Sequence, residues 1–461
     1  MDRSYAGEIE YQVFLRRDGQ RLANQDGVAD ITQFIQGILL VEGITADCMS
    51  ADVVLEDAAG LIGSITGTEQ VEIRLRSSLV ESRRYIFRCM GIFSRVKSSQ
   101  GSEAYVLRCA SEEVITNETI NIFGHTQVLF KDTEGSNIIG TLLKDKRYLN
   151  SKKKFYSEKT LNSHSMISTN HRPIDFMNLL ARRSIRKPKA GGMLQNGFIF
   201  FENSMGWQFK SMDKLVEDAN KQEDNAGTNT ITGQAQLYRY SLANPGIDEG
   251  RDAFNITGIG FEDDTNYLKP LRNGSYCGYS IGFDPVSLSS AEIGLSEDTP
   301  ISAYEYSLDN MWNNMEHLGK KNIVNPYSQI DKEVKEYINT PRRIRYVPIP
   351  SRLFDEKSGQ AQATYSELSH LEAYEPARFR SMQNVKLNIE IPGNLDLYAG
   401  YAIDIHIPAT YNTQNGAETD YRYSGRYLIE TINHSITPTG MATKLVLIKD
   451  STIRALNQIS S

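Results

Sequence analysis

Hydrophobic and polar residues alternate along the chain in two separate regions, one near each end. Residues 71–76 (VEIRLR) alternate without a break, and residues 385–391 (VKLNIEI) do the same. A period of two is typical of a strand with one buried face. Further short runs rich in β-forming residues follow in both regions, with polar turn residues between them. The pattern predicts an antiparallel β meander in each region.

The region between the two meanders has a different pattern. Apolar residues at helical spacing begin at Pro173, which predicts a helix over about 173–186 with proline in its first turn. Residues 198–201 and 207–209 are predicted strands around a polar turn, and Ser211 is a predicted N-cap of the helix that follows. This region is therefore expected to be mixed α and β.

The two meanders resemble each other in sequence. Each contains two glycines with the spacing G-x6-G between predicted strands, and each then has an Arg-Tyr pair that starts a hairpin. Glycine suits tight turns that need a positive φ. Two copies separated by other material predict two similar antiparallel barrels or sandwiches with a large insertion, and chance similarity between short strands is the alternative. The residues that define the repeat are Gly60, Gly67, Tyr85, Gly393, Gly400 and Tyr427.

The repeated unit, together with residues 197–215 (GFIFFENSMGWQFKSMDKL) and 424–434 (SGRYLIETINH), resembles the central baseplate hub protein of contractile-tailed bacteriophages. That family is similar to the hub part of type VI secretion spike proteins. The resemblance covers most of the chain and is weaker over 221–380. It implies a mainly β fold with an α+β insertion, in which two tail-tube-like antiparallel β-barrels per chain are joined by a mixed domain.

We expect the domain boundaries to follow from this resemblance. The first barrel is expected at 1–115, the mixed domain at 116–196 and 221–340, the second barrel at 197–220 and 341–453, and a C-terminal tail at 454–461.

The resemblance also implies a structural role in a virion, with assembly in the host cytoplasm. Three chains with two barrels each give six similar positions, so that a homotrimer can join a six-fold tail tube to a three-fold central spike. The implied partners are further copies of the chain, the spike protein, and the tail tube or a tube-initiating baseplate protein. A tape measure protein is a further candidate. DNA is expected to pass through the ring without specific binding.

The composition excludes some classes of protein and some cellular compartments. The chain has 461 residues with a formal net charge of −7, which argues against a protein that binds nucleic acid through bulk charge. Four cysteines without a CxxC pair predict neither a disulfide scaffold nor a zinc site, and they favour a reducing compartment. We expect no secretory signal and no membrane insertion, because the sequence lacks the required apolar stretches.

The average charge hides a basic stretch in the first meander. Residues 71–108 contain eight Arg and Lys against three Glu. One interpretation is contact with acidic neighbours in a tail assembly, another is a wall facing DNA, and a solvated sheet face is the simplest alternative. We favour protein contacts, because ejected DNA must slide without sticking. The candidate interface consists of Arg74, Arg76, Arg84, Arg88, Arg95 and Arg108.

Catalytic signatures are weak. Residues 278–282 (GYSIG) fit the G-x-S-x-G nucleophile elbow, but no βαβ pattern surrounds them, so Ser280 is predicted to be a strand or turn residue. The histidines lack metal-ligand spacing, and we predict no catalytic, cofactor or metal site. Two alternatives remain open: a carbohydrate-active enzyme with β domains, supported only by many tyrosines and scattered carboxylates, and a tail tube subunit without a hub function.

Overall fold

The structure is a computed structural model. It describes residues 7–22, 30–77, 80, 82–122, 129–168, 170–187, 192–242, 253–262, 268–283, 301–319, 323–348, 365–413 and 416–452.

The first meander has seven strands that alternate between buried and exposed positions. They enclose an apolar core that includes Val53, Leu55, Ile73 and Leu107, all fully buried. The strands are β1 (Ile9–Arg17), β2 (Gln20–Arg21), β3 (Ile35–Gly43), β4 (Ser50–Asp57), β5 (Gln70–Ser77), β6 (Arg83–Lys97) and β7 (Glu103–Ser111).

The inserted region starts with a compact α/β unit. Its core packs helices against a three-stranded sheet around Trp207, Phe176 and Leu142. The predicted helix starts at Pro173, and Ser211 caps the helix that follows it by accepting a hydrogen bond from the Lys214 N–H at 3.1 Å. The elements are α1 (Glu112–Thr119), β8 (Leu129–Glu134), α2 (Gly135–Lys144), β9 (Phe155–Ser157), β10 (Ser163–Ile167), α3 (Pro173–Arg183), β11 (Phe198–Asn203), β12 (Gly206–Ser211) and α4 (Met212–Lys221).

A second group of inserted elements packs around Tyr276, Tyr306 and Tyr374. Ser280 lies fully buried on one of its strands, so the predicted strand position is correct and there is no strand-to-helix elbow at this serine. Two strands before this group, β13 (Tyr238–Ser241) and β14 (Gly258–Phe261), pair with strands of the second meander. The elements of the group are α5 (Leu268–Asn273), β15 (Cys277–Phe283), β16 (Glu305–Ser307), α6 (Leu308–Trp312), α7 (Lys332–Ile338), β17 (Ile344–Pro348) and α8 (Tyr365–Met382).

The second meander completes the described chain. Its core includes Leu387, Ile403, Ile429 and Leu447. The expected tail at 454–461 lies outside the described residues. The strands are β18 (Val385–Pro392), β19 (Ala402–His406), β20 (Pro408–Thr413), β21 (Gly416–Thr419), β22 (Gly425–Thr437) and β23 (Gly440–Lys449).

The two meanders form one continuous sheet. Its hydrogen-bonded path runs β14-β18-β23-β22-β3-β4-β7-β6-β5-β1-β2, with β19 and β13 branching from β22. The predicted mainly β fold with a mixed insertion is confirmed. Closed barrels, however, are not formed by the strands that the structure describes. Within the described part of the chain, the ends of each meander meet only in a single bridge, Phe14 with Asp30 in the first and Ser241 with Asn255 in the second, so no continuous ladder closes either one.

The described helices include none that is both long and apolar enough to cross a membrane.

Candidate functional site

The junction between the two meanders is the feature that sequence patterns did not predict. Six residues of β22 pair antiparallel with β3, from Thr431 opposite Gly43 to Ile436 opposite Ile38. Ile436 also packs in the core of the first meander. The two copies are therefore joined edge to edge by main-chain hydrogen bonds and by a shared core.

The two copies have the same strand order. In the first, β4, β7, β6 and β5 follow one another across the sheet, and in the second β18, β23, β22 and β19 do so. Every one of these neighbouring pairs is antiparallel. On the outer side, β3 pairs with β4 and β14 pairs with β18, again antiparallel in both cases. By position in the sheet, β14 is thus the counterpart of β3.

The repeat glycines lie in the loops between equivalent strands. Gly60, Gly67 and Gly400 have positive φ values of 69°, 81° and 82°, which a side chain would disfavour. A Cβ atom at Gly400 would also lie 2.8 Å from the ring of Phe201. Gly393 is restricted by packing alone, since a Cβ atom there would lie 2.5 Å from Cγ of Met441.

The two repeat tyrosines are both buried on strands at equivalent places in the sheet. Tyr85 lies opposite Ile73 on β5, and its hydroxyl lies 3.3 Å from Oγ of Ser204. Tyr427 lies opposite Ile403 on β19, and its hydroxyl donates to the Tyr423 carbonyl at 2.5 Å. Each ring therefore fills the core of its own copy, while each hydroxyl bonds a different neighbouring segment.

The buried carboxylate of Glu42 stabilises the junction between the two meanders. Glu42, on β3, is 1% exposed, and its two oxygens accept hydrogen bonds from Ser204 N–H at 2.6 Å, Ser204 Oγ at 2.7 Å and Ala399 N–H at 2.8 Å. Burial raises the pKa of Glu42, and these hydrogen bonds oppose the rise. A glutamate at an inward position of an otherwise apolar strand was the available sequence signal.

A second polar contact crosses the same junction. Arg83, on β6, forms an ion pair with Asp396 at 3.3 Å and a hydrogen bond with the Tyr398 hydroxyl. Asp396 also accepts from the hydroxyls of Tyr238 at 2.9 Å and Thr228 at 2.7 Å. Arg83 therefore connects the first copy to the loop that holds Gly393 and Gly400.

Two of the candidate interface arginines share one buried carboxylate. Glu72 accepts hydrogen bonds from Arg16 at 2.6 Å, Arg74 at 2.8 Å and Arg84 at 2.7 Å. Burial raises the pKa of Glu72, but the hydrogen bonds from the three arginines outweigh it and hold the pKa at about 2. Glu72 is thus a fixed anion at the centre of the basic stretch.

The remaining candidate arginines are also paired within the chain. Their carboxylate partners lie on neighbouring strands or on α1, and three of those partners, Glu10, Asp52 and Glu112, fall outside the stretch 71–108. The local charge excess counted from the sequence is therefore largely neutralised in space. The pairs are Arg76 with Glu10 at 3.5 Å, Arg88 with Glu112 at 2.5 Å, Arg95 with Glu103 at 2.7 Å and Arg108 with Asp52 at 3.2 Å.

Comparison with known proteins places this architecture in a structural class. The chain matches no protein-family model and no curated protein. Among solved structures, it is similar to a tail protein from Neisseria meningitidis MC58, with a TM-score of 0.52 and 10% identity over 95% of this chain and 97% of that chain. It is also similar to the 43 kDa tail protein of prophage MuSo2 from Shewanella oneidensis, with a TM-score of 0.50 and 8% identity over 96% and 99%.

At this identity the likeness concerns the fold. The chain has the fold of these tail proteins along almost its whole length, and the resemblance inferred from the sequence is confirmed at that level.

Proposed function

We propose that the protein is the structural hub of a contractile phage tail baseplate: a homotrimeric ring that joins a six-fold tail tube to a three-fold spike and surrounds part of the genome-ejection channel. The observation that carries this proposal is the pairing of β22 with β3. One copy of a repeat binds the edge of the other in this contact, and the same contact can be repeated between chains.

The edges needed for that repetition are present. Within the first copy, β6 holds the place that β22 holds in the second, and it pairs with β5 only over residues 83–88. Residues 91–97 pair with β7 on one side, and no described strand lies on the other. At the opposite end of the sheet, β14 pairs with β18, and its second edge carries no described strand either.

Both edges carry exposed apolar side chains. Phe93 and Val96 on β6 are 42% and 61% exposed, and Phe261 on β14 is 47% exposed. The charges beside these side chains are already paired within the chain, Arg95 with Glu103 and Glu262 with Lys386. Pairing of β14 from one chain with β6 of the next would repeat the β3–β22 contact and bury the exposed apolar side chains.

Repetition of a heterologous contact of this kind forms a closed ring only if a whole number of the rotations between neighbouring copies adds up to a full turn. If each contact rotates one copy by a sixth of a turn, three chains with two copies each complete a ring. The ring would then have six similar positions on one face, as a six-fold tube requires, and three identical chains, as a spike requires. A tape measure protein is a further candidate partner for the tube side.

The exposed face of the sheet suits a passage for DNA. Its opposite face is buried in the apolar cores of both copies. On the exposed face, cations are paired with anions, as in Arg108 with Asp52 and Lys444 with Glu390. A wall with neutralised charge makes few attractive phosphate contacts, so DNA would pass without being held. The proposed role requires no catalysis, and we place the protein in the virion tail after assembly in the host cytoplasm.

Size-exclusion chromatography with light scattering tests the trimer. The wild-type chain is expected to have the mass of three chains, and the substitution Val96→Asp is expected to shift it to a single chain, because a charge would face the apolar edge of β14. Ile231→Asp is the matched control, since Ile231 is 82% exposed in a loop away from either edge. A wild-type monomer at every concentration tested would refute the proposal.

A further inference from the structure

Two of the four cysteines face each other across neighbouring strands. Cys89 on β6 lies directly opposite Cys109 on β7, and they are 3% and 0% exposed. Both thiols are free in the structure. Their side chains project into the same apolar core.

The backbone geometry of this pair can be read from the hydrogen bonds around it. The Cys89 N–H donates to the Glu69 carbonyl at 2.8 Å, on the side away from β7. The Ser111 N–H donates to the Met49 carbonyl at 3.1 Å, and the N–H of Cys109, two residues earlier on the same strand, therefore also faces away from β6. Cys89 and Cys109 thus form a non-hydrogen-bonded pair of the antiparallel ladder.

This type of pair brings backbones close together. The Cα atoms of a non-hydrogen-bonded pair are separated by about 4.5 Å. Disulfides span Cα separations of about 4.4 to 6.8 Å. A bond between these two sulfurs therefore needs little backbone movement.

The two thiols also interact with each other. The hydrogen bond between them lowers the pKa of Cys89, against the effect of burial, and raises the pKa of Cys109. The other sulfur contacts are weak, with Cys89 Sγ at 3.4 Å from the Gly91 carbonyl oxygen and Cys109 Sγ at 3.6 Å from that of Leu107. Because the two side chains face each other in one core, each sulfur can react with a sulfenic acid formed on the other.

The pair sits where the β6–β7 hairpin leaves the core. Cys89 is buried, whereas the next residue, Met90, is 44% exposed. The register of the two strands shifts between Cys89 and Gly91, and shifts again between Phe93 and Val96. A covalent link at this point would fix the register at the base of the exposed hairpin.

We propose that Cys89 and Cys109 are a cross-strand disulfide site that closes when the folded chain meets a small peroxide oxidant. The Cys89 thiolate attacks one peroxide oxygen, the O–O bond breaks, and a sulfenic acid and water (or an alcohol) are formed. The Cys109 sulfur then attacks the Cys89 sulfur, the S–O bond breaks, and a second water leaves as the S–S bond forms. Two thiols are oxidised by two electrons, and the peroxide is reduced by the same two.

The test uses the full wild-type chain and hydrogen peroxide as the probe. After exposure under native conditions, the protein is denatured, its remaining thiols are alkylated, and its peptides are mapped by mass spectrometry. We expect two of four cysteines to resist alkylation and a linked peptide pair containing Cys89 and Cys109. Recovery of all four alkylated cysteines at doses that oxidise exposed methionines, or a link between other cysteines, would overturn the proposal.

Two variants sharpen the result. A chain with Cys48→Ser and Cys277→Ser should form the same link, because neither residue takes part. In Cys109→Ala, a dimedone-type reagent should trap the sulfenic acid of Cys89, which has lost the thiol that resolves it. If Cys109→Ala fails to fold, the oxidised wild type provides a second measurement: its urea midpoint should rise and return to the original value on reduction, and an unchanged or lowered midpoint would contradict a strain-free link.

Discussion

The strands β6 and β22 hold equivalent places in the two copies, yet they end in different surroundings. Both are long, and both leave their first neighbour before the midpoint, β6 after residue 88 and β22 after residue 428. The second half of β22 is covered by β3 of the same chain, whereas the second half of β6 has no described strand beside it. The copies are thus alike in strand order but differ in whether this edge is covered by a described strand. A repeated unit with one covered and one uncovered edge can pair with the other copy in its own chain and with a copy in a neighbouring chain.

The copies also differ in where they place their charges. In the first copy, ion pairs such as Arg76 with Glu10 lie on the surface, with both side chains more than two thirds exposed. Beside the second copy, Arg378 on α8 is fully buried between Asp213 and Asp450. This buried group ties the end of β23 to α4 and α8 by a buried ion pair, whereas the first copy is tied to the insertion by hydrogen bonds from Met49 and Ser111 to the buried Glu202 on β11.

The largest expected effect comes from removing that buried cation. Arg378→Ala leaves two buried carboxylates without their partner, and breaking a buried ion pair costs about 3–5 kcal/mol of unfolding free energy. Arg76→Ala removes an exposed pair and should cost less than about 1 kcal/mol. Urea unfolding of both variants measures the difference, and equal losses would show that the two copies are not anchored differently.

The repeat glycines should respond unequally to alanine. Gly60→Ala places a residue in the left-handed region with open space around it, at a cost of about 1–2 kcal/mol. Gly400→Ala adds a close contact with Phe201 to the same strain and should cost about 1 kcal/mol more. Thermal unfolding of the two variants gives the comparison. A larger loss for Gly60→Ala would mean that the second loop is not the tighter one.

A further effect concerns pH and a lysine of the second copy. Lys449 donates to the carbonyls of Arg422 at 2.9 Å and Ser424 at 2.8 Å, and burial lowers its pKa to about 7. Between that value and its ordinary pKa of 10.5, the unfolded chain holds a proton that the folded chain has released. Stability should therefore rise as pH increases from 7 to 9, by about 1 kcal/mol per pH unit from this group.

Substitution isolates this contribution. In Lys449→Met the rise should shrink, and in Lys444→Met, an exposed lysine on the same strand, it should persist. Urea midpoints at pH 7, 8 and 9 provide the measurement. An unchanged pH dependence in Lys449→Met would show that the folded state keeps this lysine charged.

Local patterns predicted local structure well. The alternation at 71–76 and 385–391 produced strands, Pro173 and Ser211 mark helix starts, and Gly60, Gly67 and Gly400 adopt positive φ. These outcomes depend on neighbours within a few residues, which a sequence displays directly. The class of fold followed from the resemblance, which rested on the same kind of local pattern.

Long-range pairing could not be predicted in this way. The contact of β3 with β22 joins residues almost the whole chain apart, and alternation alone does not say which strand lies beside which. For the same reason a charge count over neighbouring residues could not include the partners of two arginines. Arg76 pairs with Glu10 and Arg108 pairs with Asp52, and both carboxylates lie on strands that are distant in sequence. The contacts of Glu42 could not be predicted either, because a single acid in an apolar strand indicates a buried polar group without indicating its partners.

Among the described residues, no strand covers the second edge of β6 at residues 91–97, and this matters while the protein is being produced. An unpaired strand accepts any extended segment, including the same strand of a chain that has not finished folding. In the proposed ring this edge would be covered by the next chain, so a chain that has folded but not yet assembled would be the form most exposed to mispairing. Mispairing of this edge needs a second chain, so high chain concentrations during synthesis should increase the fraction of protein lost to aggregation.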